Sequence, residues 1–273
     1  QSFYLCKELK EFIIPEDSEL EIIEKEAINL TKINHLFIPS KVKKIDLEEF
    51  HNNYLISITI SPQNKNFQSI NNNRIVIGKS QPNIDCFDTL LLICSSVKTL
   101  KVPSFIKYIG NCCASVKKIH TIEFTNDSQL VSIGKNSLRA LLIEKISIPS
   151  SCVSICENAF NSCKFLKKIS FAHDSKLQYI EESAFSHTPL VSICIPKNVK
   201  SFRLNAFRDC YNLHSIELLG DNIEFIDEKN KGLHNLQLIS CPNATQVYYS
   251  NFSSYEKECF LLINAGAKII LTK

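Results

Sequence analysis

Residues 148–166 read IPSSCVSICENAFNSCKFL, and residues 195–213 read IPKNVKSFRLNAFRDCYNL. The two stretches align without a gap at an offset of 47 residues, and each runs from Ile-Pro through Ala-Phe to Cys. Self-similarity at a fixed spacing is the sequence mark of a repeat protein. We therefore interpret the chain as a repeat array before considering any other fold.

A unit of the form Leu-x-x-Ile-x-Ile recurs along most of the chain, with conservative replacements. Successive units begin 20 to 24 residues apart, except for one step of 42 residues. The last two apolar residues of a unit lie two apart, so both point to one face of a β-strand. A unit this short buries that face only when units stack in parallel. The units begin at Leu9, Ile33, Leu55, Val97, Ile119, Ile143, Leu166, Leu190, Leu213 and Leu233.

The second half of each unit predicts how the chain returns to the next strand. A Pro after the strand, as at Pro149, cannot donate to a ladder and so ends the strand. We predict that the following Ala-Phe-x-x-Cys segment is a helical or 3₁₀ turn, with Phe160, Phe185 and Phe207 stacked inside the array. The sequence therefore predicts an α/β repeat solenoid, a leucine-rich-repeat array of parallel strands with short helical or 3₁₀ return segments.

Three departures from the regular unit bear on the domain organisation. A longer turn carries Asp-Ser-x-Leu at 17–20, 127–130 and 174–177, so two slightly different turns alternate. The stretch at about 61–96 predicts a β-hairpin insertion, because its Asn-rich centre tolerates left-handed turns. Beyond the last unit we predict a helix from about Ser254 and then a strand. We assign 1–245 to the solenoid and 246–273 to a C-terminal helix-strand cap, since an array needs its open end covered.

The totals exclude several classes of protein. Hydrophobic residues make up 44% of the chain and charged residues 22%, which is a globular balance. The net charge of +3, from 31 basic and 28 acidic residues, is too even to predict nucleic acid as a partner. The sequence contains no run of 18 apolar residues, so it does not predict insertion into a membrane. Because the chain contains no methionine, we expect it to be a piece of a longer product.

The residues also offer little catalytic or metal-binding chemistry. No Cys-x-x-Cys pair is present among the 12 cysteines, so zinc is not predicted. We expect Cys6, Cys152, Cys163 and Cys210 to pack as small hydrophobes in the core. The histidines are scattered over different units, and no nucleophile or phosphate-loop motif occurs. We therefore predict that the protein is not an enzyme and has no cofactor, no metal and no small-molecule substrate.

A binding face follows from the alternation of the strands. Residues that point away from the core would line the inner, concave face of the array, which is the usual contact surface of such proteins. The alternative is a solvated sheet whose Ser and Thr merely suit strands. The candidate residues are Ile13, His35, Phe37, Thr59, Lys101, Thr121, Glu123, Lys145, Ser147, Lys168, Ser170, Ser192, Ser215 and Glu217.

The chain resembles the BspA-like (Treponema-type) leucine-rich repeats over about residues 2–245. The resemblance rests on Ile146-Ser147-Ile148-Pro149, on the return from Ile155 to Cys163, and on the insertion 61–70, SPQNKNFQSI. It implies the same kind of array and no catalytic residues to transfer. Many members of that family are described as surface proteins for adhesion, and many have no assigned role.

Two functions remain open at this point, binding to another protein inside the cell or binding to host or matrix macromolecules outside it. The first is a scaffold or a structural subunit of a larger assembly inside the cell, which reduced core cysteines favour. The second is a cell-surface or secreted adhesion module, which the resemblance implies. Glycans would support the second, at the Asn-x-Ser/Thr sequences of Asn29, Asn126, Asn243 and Asn251.

Overall fold

The computed structural model describes residues 2–25, 27–46, 54–114, 117–213 and 215–219, and beyond them five strands between 222 and 272. It contains 23 strands and one 3₁₀ helix, Leu204–Phe207, among these residues. The strands are β1 (Ile22–Ile23), β2 (His35–Ile38), β3 (Lys44–Ile45), β4 (Ser57–Ile60), β5 (Phe67–Ile70), β6 (Ile75–Gly78), β7 (Thr89–Ile93), β8 (Thr99–Val102), β9 (Tyr108–Ile109), β10 (Thr121–Phe124), β11 (Ser132–Ile133), β12 (Lys145–Ile148), β13 (Ser154–Ile155), β14 (Lys168–Phe171), β15 (Tyr179–Ile180), β16 (Ser192–Ile195), β17 (Ser201–Arg203), β18 (Ser215–Leu218), β19 (Asn222–Ile226), β20 (Leu238–Ser240), β21 (Gln246–Ser250), β22 (Leu262–Ile263) and β23 (Lys268–Thr272).

The strands form two faces of a solenoid whose coils stack in parallel. Each regular coil places one strand on the front face and the next on the back face. The front face consists of β2, β4, β8, β10, β12, β14, β16, β18, β20 and β22. Alternate front-face residues, such as Ile146 and Ile148, are buried between the faces, while Lys145 and Ser147 point out. The alternation predicted from the sequence is therefore present.

The back face is a continuous sheet over most of the array. Its eleven strands run in the order β23, β21, β19, β17, β15, β13, β11, β9, β7, β6, β5. All these pairs are parallel except those joining β5 to β6 and β6 to β7. The turn between β5 and β6 has left-handed backbone at Asn71, Asn72 and Asn73, with φ of 52°, 52° and 61°. This antiparallel hairpin lies where the sequence predicts an insertion.

The front face, in contrast, is divided into separate sheets. Strand pairs occur in β2–β4, in β8–β10, in β12–β14, and in the four strands from β16 to β22. Every paired step within the front face is 22 or 23 residues long. The two steps of 24 residues, from Thr121 to Lys145 and from Lys168 to Ser192, separate strands that do not pair. Strand pairing between these regular coils is therefore interrupted where the step between front-face strands is longest.

The extra length lies in the Asp-Ser-x-Leu turns. From Phe124 to buried Leu130 the chain takes six steps, whereas from Ile148 to buried Cys152 it takes four. In the longer turn the Ser128 N–H donates to the Thr125 carbonyl at 3.1 Å, and its Oγ accepts the Leu130 N–H at 3.4 Å. The turn at Ser175 repeats both bonds, at 3.0 and 3.3 Å. A self-contained turn with two added residues thus follows β10 and β14, neither of which pairs with the next front-face strand.

The return segments are not helical, so the predicted α/β class is wrong in that respect. Apart from the single 3₁₀ helix, the described return segments consist of turns with recurring left-handed residues, such as Asn136 and Ala140, with φ of 53° and 56°. Alternate N–H groups of these segments bond to the next coil, and those between them bond within their own coil. For example, the Asn136 and Leu138 N–H groups donate to the carbonyls of Glu157 and Ala159, both at 3.0 Å. The fold is a parallel β-solenoid, because inter-coil bonds replace helical ones on this third side as well.

The core confirms the predicted phenylalanine column. Phe160, Phe185 and Phe207 are fully buried, and Phe160 stacks on Phe185 with a centroid distance of 5.5 Å. The first unit departs from prediction, because residues 11–14 carry no strand. Of the predicted cap over 246–273, the structure describes only β21, β22 and β23. The predicted helix from Ser254 lies mostly outside the described residues, and the division at 245 stays a prediction.

Candidate binding face

The structure places the described candidate residues on the outer side of the front face. Most are exposed, while Phe37 and Ser170 are half-buried. Ile13 is 83% exposed but does not lie on a strand, because the first coil contributes none to the front face. For Ser215 the structure describes the backbone alone, which pairs with Ser192. The predicted role of these residues in binding stays a prediction.

Within three of the four front-face sheets, a candidate residue contacts an outward-facing side chain on the adjacent coil. The His35 Nδ1 and Ser57 Oγ atoms lie 2.7 Å apart, in the sheet of β2 and β4. In β12 and β14 the two hydroxyls of Ser147 and Ser170 are hydrogen-bonded at 2.8 Å. In β8 and β10 the Lys101 ammonium lies 3.7 Å from a Glu123 carboxylate oxygen. The candidate face is therefore a row of small polar clusters.

The interruption between β10 and β12 opens a cleft on this face. It has a volume of about 750 Å³. Six of the predicted residues line it: Thr121, Glu123, Lys145, Ser147, Lys168 and Ser170. Three further polar or aromatic lining residues, His120, Phe124 and Glu144, were not predicted. The 24-residue step between the two strands was the signal in the sequence that could have located them.

The cleft carries charge of both signs. Lys145 lies directly opposite Lys168 in the β12–β14 pair, so two ammonium groups share one rim. The carboxylates of Glu123 and Glu144 belong to the same lining. The half-buried ring of Phe124 adds an apolar surface where β10 ends. Mixed charge around an aromatic side chain suits recognition of a protein surface better than recognition of a uniformly charged polymer.

The cysteines fall into a buried and an exposed group. Cys152, Cys163 and Cys210 are buried as predicted, and burial raises the pKa of the Cys152 and Cys163 thiols to about 12. Cys6, also predicted to pack in the core, is exposed, so that prediction is wrong. Cys194, on the exposed side of β16, was not assigned to the core.

Two further features limit the chemistry of the described residues. No group of three or more His, Cys, Asp or Glu side chains is placed to hold a metal ion within the part of the chain that the structure describes. No helix in that part is long and apolar enough to span a membrane. Among the predicted glycan acceptors, Asn29 is only 2% exposed, whereas Asn126 is exposed. The sequons at Asn243 and Asn251 lie outside the described residues.

The repeat is recognised by comparison with known families. The family model described as the BspA type leucine rich repeat region (6 copies) matches four overlapping stretches, 1–76, 67–141, 88–214 and 131–259. Together they cover nearly the whole chain. No curated protein has a significantly similar sequence.

Several solved bacterial proteins have a similar fold. The pneumococcal vaccine antigen PcpA is 19% identical, with a TM-score of 0.65 over 100% of this chain and 64% of its own. A leucine rich cell surface protein from Faecalibacterium prausnitzii is 19% identical, with a TM-score of 0.55 over 93% and 57%. A leucine-rich repeat protein from Eubacterium ventriosum is 18% identical, with a TM-score of 0.61 over 97% and 66%. The chain thus spans 57% to 66% of the length of these structures, and the likeness shows the fold.

Proposed function

Since the chain belongs to the BspA type leucine-rich-repeat family, we propose that it is a non-catalytic module that binds another protein. Proteins of this repeat class generally serve protein interaction. The observation that carries the proposal is the cleft between β10 and β12, which brings six separately predicted residues around one opening. The long, regular front face supplies further contact area on both sides of that cleft.

The cleft combines the features that protein interfaces use. Its rim offers hydroxyl groups at Thr121 and Ser147, which can donate or accept hydrogen bonds. Phe124 offers an aromatic anchor, and such anchors dominate the energy of many interfaces. The charged side chains on the rim contribute to the orientation of the partner and to the rate of association more than to the affinity. We propose that the partner inserts a side chain beside Phe124 and contacts Lys145 and Lys168.

This binding activity is compatible with two cellular roles, and different observations support each of them. The first is a scaffold or a structural subunit of an assembly, for which the buried thiols of Cys152, Cys163 and Cys210 are suited, since reduced cysteines persist in a reducing compartment. The second is a cell-surface adhesion protein. It is favoured by two of the structural neighbours, which are a vaccine antigen and a cell surface protein.

Site-specific photo-cross-linking tests the proposed interaction. A benzophenone amino acid is placed at Ser147 in the cleft and, as the matched control, at exposed Lys197 in the turn after β16. We expect one defined protein to cross-link at Ser147 and not at Lys197. The purified partner should then bind the native chain and lose affinity for the variant K145E/K168E. Equal cross-linking at both positions, or unchanged affinity of that variant, rejects the cleft as the contact site.

Glycan analysis of the protein from its native source distinguishes the scaffold from the cell-surface adhesion protein. Asn126 is the exposed acceptor among the described sequons, so a sugar there would mean passage through a secretory route. An unmodified Asn126 together with fully reduced cysteines would support the scaffold. Asn29 serves as an internal control, because its burial should keep it unmodified in the folded protein.

A further inference from the structure

A second opening lies beside β8, between the turn of the β5–β6 hairpin and the residues that precede β4 and β10. Two adjoining cavities of about 740 and 470 Å³ meet there, and both are lined by Ser96 and Lys98. The Ser95 N–H donates to the Leu55 carbonyl at 2.9 Å, which holds the two coils together beneath the opening. We call these two cavities together the hairpin cleft.

The hairpin cleft is rich in positive charge. Arg74, Lys98 and Lys101 line the larger cavity, and Lys117 and Lys118 join Lys98 in the smaller one. Neither cavity has an Asp or Glu in its described lining. Five cations therefore surround one opening in a chain whose basic and acidic residues are otherwise nearly balanced, at 31 and 28. Such clustering produces a local field that attracts negative groups.

One of these cations, Lys117, is enclosed, whereas Arg74 is exposed. Lys117 is only 4% exposed, and burial lowers the pKa of its ammonium group. Lys117 and Arg74 both lie close enough to the buried Cys94 thiol to oppose the rise in its pKa that burial causes. Charge interactions at such a site are less screened by solvent than those on an open surface. A ligand can reach the cations of Arg74, Lys98 and Lys118, which are exposed.

The walls of the hairpin cleft also expose apolar side chains. Tyr54, Ile56 and Phe105 are 57%, 42% and 47% exposed and line one or the other cavity. Large apolar residues beside cations give a surface suited to a peptide that carries both acidic and apolar side chains. The nearest charge pair, Lys101 with Glu123 at 3.7 Å, is exposed and contributes little, so Lys101 can exchange it for a ligand.

We propose that the hairpin cleft binds an extended acidic segment of the partner protein, with its Asp or Glu side chains on Arg74, Lys98 and Lys118 and an aromatic or aliphatic side chain against Phe105. This inference rests on the proposed function, since the ligand is again a protein. It adds a second contact region, separate from the cleft between β10 and β12, and specifies the chemistry of the segment that occupies it.

The test measures the binding of a labelled peptide to the full chain by fluorescence anisotropy. The probe is a peptide of about twelve residues that repeats Glu-Glu-Phe, and a peptide of the same length that repeats Lys-Lys-Phe is the charge control. The variant R74E/K98E/K118E reverses three exposed cations of the hairpin cleft. The matched variant K164E/K176E/K197E reverses three exposed lysines in other coils and has the same net charge.

We expect the acidic peptide alone to bind, with a dissociation constant that rises at least about tenfold in R74E/K98E/K118E and less than about twofold in the matched variant. K145E/K168E should bind the peptide as tightly as the native chain does. Peptide binding therefore tests the hairpin cleft separately, and an absence of cross-linking at Ser147 would reject the proposed function without changing the peptide result. Three outcomes would contradict binding at the hairpin cleft. The first is no binding of the acidic peptide, and the second is an equal loss of affinity in both triple variants. The third is displacement of the peptide by a heparin oligosaccharide of equal or higher affinity, which would indicate a general polyanion site.

Discussion

The ring of Phe185 stacks on the ring of Phe207, with centroids 5.3 Å apart and planes inclined by 19°. Both side chains are fully buried, and each belongs to the return segment of its own coil. The stack therefore joins successive coils through the core. We expect Phe207→Ala to lower the free energy of unfolding by about 3–5 kcal/mol, since it removes a large buried side chain and leaves a cavity. Urea denaturation followed by circular dichroism measures the change.

Phe165→Ala is the control for this prediction. Phe165 lies in the same kind of segment but is 49% exposed, so its truncation should cost under about 1 kcal/mol. If the two substitutions had equal effects, the assignment of Phe207 to the core column would be wrong.

The left-handed residues of the return segments predict where glycine stabilises the fold. Ala140 has a φ of 56°, which costs an L-residue energy that glycine avoids. We expect Ala140→Gly to raise the free energy of unfolding by about 0.5–1 kcal/mol. Ala159→Gly should lower it by a similar amount, because Ala159 is buried and does not have a positive φ. Thermal melts of both variants check the opposite signs, and a loss of stability in both would contradict the assigned backbone geometry.

The facing ammonium groups of Lys145 and Lys168 allow stability and binding to be separated. Like charges directly opposite in a sheet repel, so the single variant K168E should be more stable than the native chain by about 0.2–1 kcal/mol. The double variant K145E/K168E restores a like-charged pair and should return to nearly native stability. Partner affinity should fall in both. A double-mutant cycle measured by urea denaturation gives the coupling, and a coupling of zero would mean that the two side chains do not interact.

Buried thiols predict how stability changes at alkaline pH. Burial raises the pKa of Cys152 from 9.0 to about 12, so the unfolded chain releases this proton at a lower pH than the folded chain. The contribution to stability is complete below pH 9 and is lost as the pH rises from 9 towards 12. One pKa unit corresponds to about 1.4 kcal/mol, so at pH 10 we expect a loss of about 1.4 kcal/mol from this thiol.

Cys152→Val isolates that contribution, because Val199 occupies the corresponding position two units later. The variant should lose less stability than the native chain between pH 8 and pH 10, by about 1 kcal/mol. Denaturation curves at the two pH values measure the difference. Parallel losses in the two proteins would show that the Cys152 thiol does not titrate differently on unfolding.

The length of the turn after β10 predicts whether the front face closes. Replacing residues 124–130, FTNDSQL, with the five-residue sequence of 148–152, IPSSC, shortens the step from 24 to 22 residues. We expect β10 and β12 then to pair, the amide of Lys145 to exchange with deuterium at least about tenfold more slowly, and the cleft to close. Replacing Ser128 alone with Ala keeps the length and should leave this exchange rate within about twofold of the native value. Unchanged exchange of the Lys145 amide in the shortened variant would show that turn length does not determine whether β10 and β12 pair.

The sequence predicted the array, its register and the outward side of each strand, because these depend on residue spacing that is visible in one dimension. It did not predict the form of the return segments. Ala-Phe-x-x-Cys is compatible with a helical turn, but the left-handed backbone at residues such as Asn158 directs the N–H groups to the next coil. That choice depends on the neighbouring coil and not on local propensity.

The clefts could have been found from the sequence only by comparing step lengths. The candidate residues that lie on strands are on the outward side of those strands, but the sequence predicted one uniform surface, and its role in binding stays a prediction. Phe124 and Glu144 were missed because they lie at the ends of two strands, and their importance depends on the strands failing to pair. The cations around Arg74 and Lys117 are far apart in the chain, and the hairpin brings them together.

The unequal continuity of the two faces has a mechanical consequence. From β5 to β23 the back face is one sheet joined by strand hydrogen bonds, whereas the front face is joined only within groups of two to four strands. Bending that spreads the front face can widen the gaps between these groups without breaking any strand pair. Bending in the opposite sense must stretch the eleven-stranded back sheet, in which each strand is bonded to the next. Under load the molecule should therefore yield in one direction first, and its compliance should be concentrated at the two Asp-Ser turns and beside the hairpin.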